Sequence, residues 1–405
     1  MKIAYLTNCF GSQSHTFIRR EIRALRRRGV PLALFGIRAD HESVADDAKD
    51  LVQETQYLYP LAAAEAIKDN AHYFVRSPIR YVRGATRALL SPELSIRRRA
   101  KMVYHFFTSA PIARKLQAAE ISHVHAHFMN VSASIAMYAS WHSGIPYSIT
   151  VHSAGTFGTD HIVGIAQKLT DAQFLMMISH YNIEYFDEIA PCRDKSHVVR
   201  CGMDLSQFPL RESAPNAGGR AKKLLGVGRF VEKKGFEYLI RAVGLLSERG
   251  TSVHLTLIGD GPLMGELQEL VGQSGLEKQV TLTGRLGTEK VRAAMSEADV
   301  VIIPSVTSQS GEKEGLPVVI MEAMASGVPV VATEHSGIPE IVLAGKTGQL
   351  VPERDAAALA EAIEASLAQT DKTQIGQARA LIEEEFNIEA VADKRLALFR
   401  EYDER

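Results

Sequence analysis

Short apolar runs alternate with amphipathic stretches along the second half of the chain. Runs at 223–227, 253–258, 279–282, 300–303 and 328–332 have the length and composition of buried strands. Between them, residues 236–249, 263–273, 288–297 and 317–326 place apolar side chains at helical spacing, and Gly250, Gly275 and Gly327 mark helix ends. This alternation predicts βα units feeding a parallel sheet. The first half repeats the theme less regularly. Strand 3–7, helix 17–28 and strand 32–35 precede a long helical region over 62–119, and strands resume at 123–126, 147–151, 174–178 and 197–199.

Between the two patterns, residues 211–219 (Arg-Glu-Ser-Ala-Pro-Asn-Ala-Gly-Gly) read as a linker of turn formers. The expected class is therefore α/β with two Rossmann-like domains, 1–210 and 220–380. Open sheets of this kind bind ligands at the carboxyl ends of their strands, so the two domains are expected to face each other across a cleft. Residues 355–368 look like one more helix, and 377–403 is long enough to reach back; 381–405 is expected to pack on the first domain.

At 405 residues the chain is too long for one ordinary core, which agrees with two domains. Apolar residues make up 46% and charged residues 23%, a globular composition that excludes disorder, collagen-like repeats and coiled coils. No apolar run approaches the roughly 18–20 residues of a membrane span, and Met1-Lys2 leads directly into a strand pattern rather than a signal peptide, so a cytoplasmic location is expected. Cys9, Cys192 and Cys201 lack CxxC spacing and read as reduced structural residues. The net charge of −1 conceals a basic first half and an acidic second half. Arg76, Arg80, Arg83, Arg87, Arg97, Arg98, Arg99 and Lys101 crowd one stretch with a single acid, Glu93, interleaved with Tyr81, Val82, Leu89 and Leu90. Such a stretch suits either an anionic membrane surface or a solvated face.

The most informative chemistry lies at 312–327. Pro317 suits the first turn of a helix, where its missing N–H costs nothing, so a helix is predicted to start there. The free N–H groups from Gly315 through Leu316, Pro317 and Val318 to Val319 would surround an anion such as a diphosphate, Pro317 contributing none itself. Glu314 would then sit in the preceding loop and Glu322 about one and a half turns inside the helix. Glu322 lies among Val319, Ile320, Met321, Ala323 and Met324, surroundings in which a carboxylate needs a partner. A second cluster, Gly226-Val227-Gly228-Arg229-Phe230-Val231-Glu232-Lys233-Lys234-Gly235, ends a predicted strand and offers Arg229 and Lys234 as two cations for a leaving diphosphate. Gly259-Asp260-Gly261-Pro262 and Gly284-Arg285 follow the next strands; either could frame a base, and both fit ordinary turns equally well. In the first half, Gly11-Ser12-Gln13-Ser14-His15-Thr16 forms a polar loop before a helix, with Ser14 or Thr16 as candidate N-cap. His152, after strand 147–151, is a better catalytic candidate than His125 or His127. P-loop, HExxH, G-x-S-x-G and G-x-G-x-x-G helix-opening signatures are missing, and no clustered metal ligands are evident, so no metal is expected.

Taken together, these residues resemble the retaining glycosyltransferases of family four, which have the GT-B fold. The resemblance rests on Glu314 to Glu322 as an ExxxxxxxE signature, on Gly228-Arg229-Phe230 with Lys234-Gly235, on Gly259-Asp260-Gly261-Pro262 and on Ser336-Gly337-Ile338-Pro339-Glu340. In the first domain Ser14-His15-Thr16-Phe17-Ile18 with Glu21-Ile22 is similar to the exopolysaccharide branch, of colanic acid and amylovoran type. The resemblance implies a nucleotide-sugar donor (UDP- or GDP-linked), a glycan or lipid-linked acceptor, retained configuration and no metal or cofactor. By the same resemblance Arg229 and Lys234 would hold the diphosphate, Glu322 the ribose and Glu314 the sugar. His152 would lie near the transferred sugar, and Gly11-Ser12, standing where many relatives carry Gly-Gly, near the phosphates. Rival readings are a nucleotide-sugar epimerase on the same scaffold and a non-catalytic nucleotide- or glycan-binding protein.

Overall fold

The computed structural model describes residues 1–12, 15–39, 44–90, 95–152, 162–211, 220–368 and 371–404. The chain forms two compact units, Met1–Met203 with Ile388–Arg405 (unit 1) and Asp204–Asn387 (unit 2). Unit 1 runs β1 (Ile3–Thr7), α1 (Thr16–Arg27), β2 (Leu32–Gly36), α2 (Lys49–Glu54), β3 (Gln56–Tyr57), α3 (Ala63–Arg76), α4 (Pro78–Leu89) and α5 (Ile96–Ala118). It continues with β4 (His123–His127), α6 (Val131–Ser143), β5 (Tyr147–Val151), α7 (Ile165–Asp171), β6 (Phe174–Met177), α8 (His180–Ile189) and β7 (Ser196–Val198). Unit 2 runs β8 (Lys222–Val227), α9 (Phe236–Glu248), β9 (Val253–Ile258), α10 (Met264–Gln273), β10 (Val280–Leu282), α11 (Thr288–Glu297) and β11 (Val300–Ile303). It then adds α12 (Val318–Ala325), β12 (Val330–Thr333), β13 (Gln349–Val351), α13 (Ala356–Ala368) and α14 (Lys372–Glu385) before α15 (Ile388–Asp403) returns to unit 1.

The sheet orders are β3-β2-β1-β4-β5-β6-β7 and β10-β9-β8-β11-β12-β13, and the strand pairs in both are parallel. A parallel sheet is covered by helices on both faces, which is why its strands read as continuous apolar runs. In unit 1 one face packs under α3–α6, and the other under α1 and α15. The predicted alternation therefore holds. The expected strand 328–332 begins only at Val330, because Pro329 cannot donate to the ladder.

Three sequence readings change. The region 62–119 is three helices: Ser77, preceding Pro78, takes φ −149° and ψ 69°, outside the helical region, as a residue before proline prefers. A further start is set where the Ser95 hydroxyl accepts the Arg98 N–H. The stretch 377–403 divides at Phe386–Asn387, so α14 stays with unit 2 and α15 alone joins unit 1. There Ile388 N–H bonds the Met203 carbonyl at 3.0 Å, and Arg27 and Arg28 pair with Glu389 and Asp393. The chain leaves unit 1 at Met203, ahead of the expected linker, and Arg211 N–H already bonds Ser326 O inside unit 2. Residues 212–219 of that linker, and the candidate cap Ser14, lie outside the described residues.

Candidate functional site

In unit 2 the loops after β8, β9, β10 and β11 are laced together by backbone hydrogen bonds. Gly228 N–H donates to Ile258 O, Phe230 N–H to Asp260 O, Gly259 N–H to Gly284 O and Val306 N–H to Lys233 O, at 2.9 to 3.1 Å. Two glycines permit this spacing. A Cβ on Gly259 would stand 1.8 Å from Gly228 O, and Gly235, at φ +62°, would put one 1.9 Å from Pro304 O. Neither position tolerates a side chain without moving backbone.

On that frame Lys234 Nζ donates to Glu314 Oε2 at 2.5 Å, and Lys233 Nζ lies 3.5 Å from Glu314 Oε1. Glu314 is only 8% exposed. Burial pushes its carboxyl pKa up, but the charges of Lys234 and Lys233 outweigh that and hold it below the ordinary value, so it stays ionised. The backbone N–H of Glu314 donates to His335 Nε2 at 2.9 Å, while His335 Nδ1 meets Glu353 Oε1 at 2.5 Å. Glu353 also accepts the Thr307 N–H at 2.7 Å; for its carboxyl too, burial raises the pKa and the His335 and Thr307 bonds overcome it.

Directly after Glu314, Gly315 and Leu316 lead into α12, with Pro317 as its N-cap residue and Val318 its first member. The helix starts one residue later than predicted. Glu322 sits on it, half-buried beside buried Met321 and Ala323. Arg229 and Arg285, on the loops after β8 and β10, are exposed and make no ion pair among the described residues. Lys234, Glu314 and the α12 entry are thus brought together, with Arg229 one loop position beyond Gly228. A separate cavity of about 530 Å³, lined by Glu232, Tyr238, Arg241, Glu266, Gln309 and Arg354 among others, includes none of them. Lys233, His335 and Glu353 were missed in the sequence. Lys233 adjoins a residue that was singled out, and His335 follows a strand end; Glu353 carries no comparable signal.

Unit 1 holds the remaining candidates. Gly11 and Ser12 follow β1; the Gly11 carbonyl accepts the Ala45 N–H at 2.9 Å and the Ser12 carbonyl accepts Arg19 Nη1 at 2.7 Å. His152, 8% exposed, packs against Phe17 and Phe128 at ring distances of 4.5 and 4.8 Å. Its Nε2 meets His127 Nδ1 at 3.0 Å and its Nδ1 lies 3.5 Å from Cys201 Sγ. Burial, with help from the Arg395 charge, pushes its pKa well below the ordinary histidine value, so the ring is neutral. Behind it, Glu21 lies 3.1 Å from Arg395 Nη2 and accepts the Tyr5 hydroxyl at 2.6 Å.

Glu21, His125 and His127 bring ligand atoms within 4.8 Å of one another, a spacing that could hold a metal. The surroundings oppose it. Both His125 nitrogens are 2.8 Å from hydroxyls, of Ser148 and Thr150, and the Arg395 guanidinium already neutralises Glu21. Among the described residues His127 Nε2, 3.8 Å from Glu21 Oε1, has no hydrogen-bond partner, while the His125 nitrogens and Glu21 are held by neighbours of the protein's own polar core.

Two Rossmann-like units in one chain are what the GT-B fold contains. The overall fold matches that of Anabaena Alr3699/HepE in complex with UDP, with a TM-score of 0.72 and 18% identity over 99% of this chain and 100% of that one. Residues 221–369, most of unit 2, match the family described as glycosyl transferases group 1. It is 40% identical over 209 residues to the putative colanic acid biosynthesis glycosyltransferase WcaL of Escherichia coli, covering 51% of this chain and 50% of the relative. It is 39% identical over 207 residues to the amylovoran biosynthesis glycosyltransferase AmsK of Erwinia amylovora, covering 50% of each. The chain thus spans about half the length of these curated relatives.

Proposed function

We propose that this chain is a retaining glycosyltransferase that moves a hexose from a UDP- or GDP-sugar to a glycan or lipid-linked acceptor in exopolysaccharide or glycoconjugate synthesis. It would act on the cytoplasmic side of the membrane. The observation that carries this reading is the ionised Glu314 held by Lys234 and Lys233 at the entrance to α12. A diphosphate at the α12 N-terminus would compete for Lys234, with Arg229 as second cation, and would release Glu314 to accept sugar hydroxyls. Glu322 would take the ribose diol, while Gly259 and Arg285 would frame the base. In the transfer step the bond from the anomeric carbon to the diphosphate oxygen breaks, and the acceptor oxygen bonds that carbon on the same face. The acceptor proton passes to the departing diphosphate oxygen. The cations stabilise the charge that develops there, so the scheme assigns no role to a metal. Neutral His152 would lie near the transferred sugar, and the Gly11-Ser12 backbone would approach the phosphates. The UDP complex of a protein with this fold and the glycosyltransferase names of the relatives support the reading.

Thermal melting against a panel of nucleotides and nucleotide sugars tests it. A ligand at 100 times its dissociation constant adds about 2.7 kcal/mol. One nucleotide diphosphate class should raise the melting temperature of the wild type and not of Glu322→Ala. Equal shifts in both proteins, or none with any nucleotide, would overturn the assignment of the site.

A further inference from the structure

Among the described residues, thirteen large apolar side chains are exposed, and ten of them fall between residues 67 and 107; the other three are Met1, Ile189 and Leu210. Solvent-exposed apolar residues are ordinary when scattered and informative when gathered. Here they gather on α3, α4 and α5. Val75, Ile79, Leu90 and Ile96 are the most open of those at the helix junctions, at 79%, 84%, 68% and 87%.

Helix α4 shows how the arrangement is built. With 3.6 residues per turn, its positions divide into three faces. Tyr81, Ala85 and Ala88 face inward and pack in or against the core. Ile79, Val82 and Leu89 share an outward apolar stripe. Arg80, Arg83 and Arg87 share the third face, and with Gly84, Ser140 and Trp141 they line a pocket of about 280 Å³ between α4 and α6. Gly84 keeps that pocket in register, because a Cβ there would come within 2.9 Å of Phe106 and 3.3 Å of Trp141.

The three arginines are not equivalent. Arg87 lies 4.9 Å from the Trp141 ring centre and 3.4 Å from Asp171, which also accepts the Trp141 indole N–H at 3.1 Å. Arg87 and Trp141 thereby form a fixed wall. Arg80 and Arg83 also line the pocket, and among the described residues neither has a carboxylate within ion-pair distance.

We infer that α3, α4 and the start of α5 form a docking surface for an anionic lipid bilayer, and that the Arg80–Arg83–Arg87 pocket seats a lipid headgroup phosphate. Charge and polarity together select the occupant. A soluble anion or an acidic protein would satisfy Arg80 and Arg83 but leave Ile79, Val82, Leu89 and Leu90 wet. A bilayer interface satisfies both stripes at once, taking the aliphatic side chains below the headgroups and the guanidinium groups at phosphate level. Arginine stays charged throughout the accessible pH range, so the attachment responds to salt rather than to pH. The inference does not depend on which sugar is moved, or on transfer at all.

Vesicle flotation of the full chain, without donor or acceptor, tests it. The wild type should float with phosphatidylcholine vesicles containing phosphatidylglycerol, stay behind with phosphatidylcholine alone, and detach as salt is raised. The double variant Arg80→Glu/Arg83→Glu should lose at least about twentyfold in partitioning, from about fivefold per lost cation. Ile79→Asp/Val82→Asp should weaken attachment as well. All four side chains are exposed, so both variants should melt with the wild type. Failure of the wild type to float on anionic vesicles, or undiminished flotation of the charge-reversed variant, would overturn the inference. So would displacement by millimolar glycerol phosphate, which would mark a site for a soluble anion.

Discussion

Unit 1 encloses His125, His127 and His152 among hydroxyls, aromatic rings and a thiol, whereas unit 2 encloses Glu314 between two lysines. Burial disfavours the charged form in both places, yet the outcomes are opposite. The histidines respond by staying neutral, because among the described residues nothing near them carries a negative charge except Glu21, which Arg395 already occupies. Glu314 stays ionised because Lys234 and Lys233 cost less to satisfy than to leave unpaired. A neutral cluster holds a fold together. A charged cluster at a helix entrance can exchange one anion for another, which is what binding a diphosphate requires.

The comparison makes its largest prediction with pH. Six buried histidines of unit 1 have depressed pKa values: His105 and His123 at about 3, His142 at about 4, and His125, His127 and His152 well below the ordinary value, with burial the leading cause in each. The unfolded chain takes up protons below about pH 6.5 and the folded unit does not, so their contribution is intact above 6.5 and falls as the pH drops. Each histidine removes up to about 1.4 kcal/mol per pH unit, roughly 8 kcal/mol for all six as a ceiling. Glu21, raised by burial, offsets at most one of these protons. Glu314 behaves with the reverse sign to Glu21. Its folded pKa is depressed, so its contribution holds above about 4.5 and is lost only as the pH falls through the folded value. Hydrogen exchange at pH 5 should therefore show α6 and β4–β6 losing protection while β8–β12 keep theirs; simultaneous loss in both units would contradict the contrast.

A smaller effect separates the two sides of the buried pair in unit 1. Glu21→Ala leaves the fully buried Arg395 without its counter-charge and should cost about 3–5 kcal/mol in urea unfolding. Arg395→Met leaves a carboxyl whose pKa burial already raises, and which can neutralise while keeping its Tyr5 bond, so about 2 kcal/mol is expected. Equal losses would mean that the pair acts by packing alone.

A further effect separates activity from stability in unit 2. If the proposed function holds, Arg229→Ala and Lys234→Ala should each lower kcat/KM roughly a hundredfold, about 3 kcal/mol in the transition state. Only Lys234→Ala should also lower the melting temperature, because it strips Glu314 of its 2.5 Å partner while Arg229 is exposed and unpaired among the described residues. Wild-type turnover in both variants would remove the phosphate grip from the reading.

Much of this was legible in the linear order of residues. The alternation of apolar runs with helical patterns gave both sheets, since parallel strands must be apolar on both faces. Pro317 marked the start of α12 to within one residue, because its ring fixes φ and lacks an N–H. Edge strands β3 and β13, of two and three residues, carry too few side chains to show a period. The single region 62–119 hid the break at Ser77 and the separate start of α5 at Ser95, which depend on one proline and one capping hydroxyl.

Sequence alone determined the two Rossmann-like units and the residues around Lys234 and Glu314, because strand period, helix capping and chain adjacency are local properties. Tertiary structure decided the rest. Only the folded chain sets Lys234 against Glu314 across 80 positions, and only there does α15 bring Arg395 to Glu21. Whether a buried carboxylate or imidazole keeps its charge follows from which partners long-range packing delivers to it, and no local pattern encodes those partners.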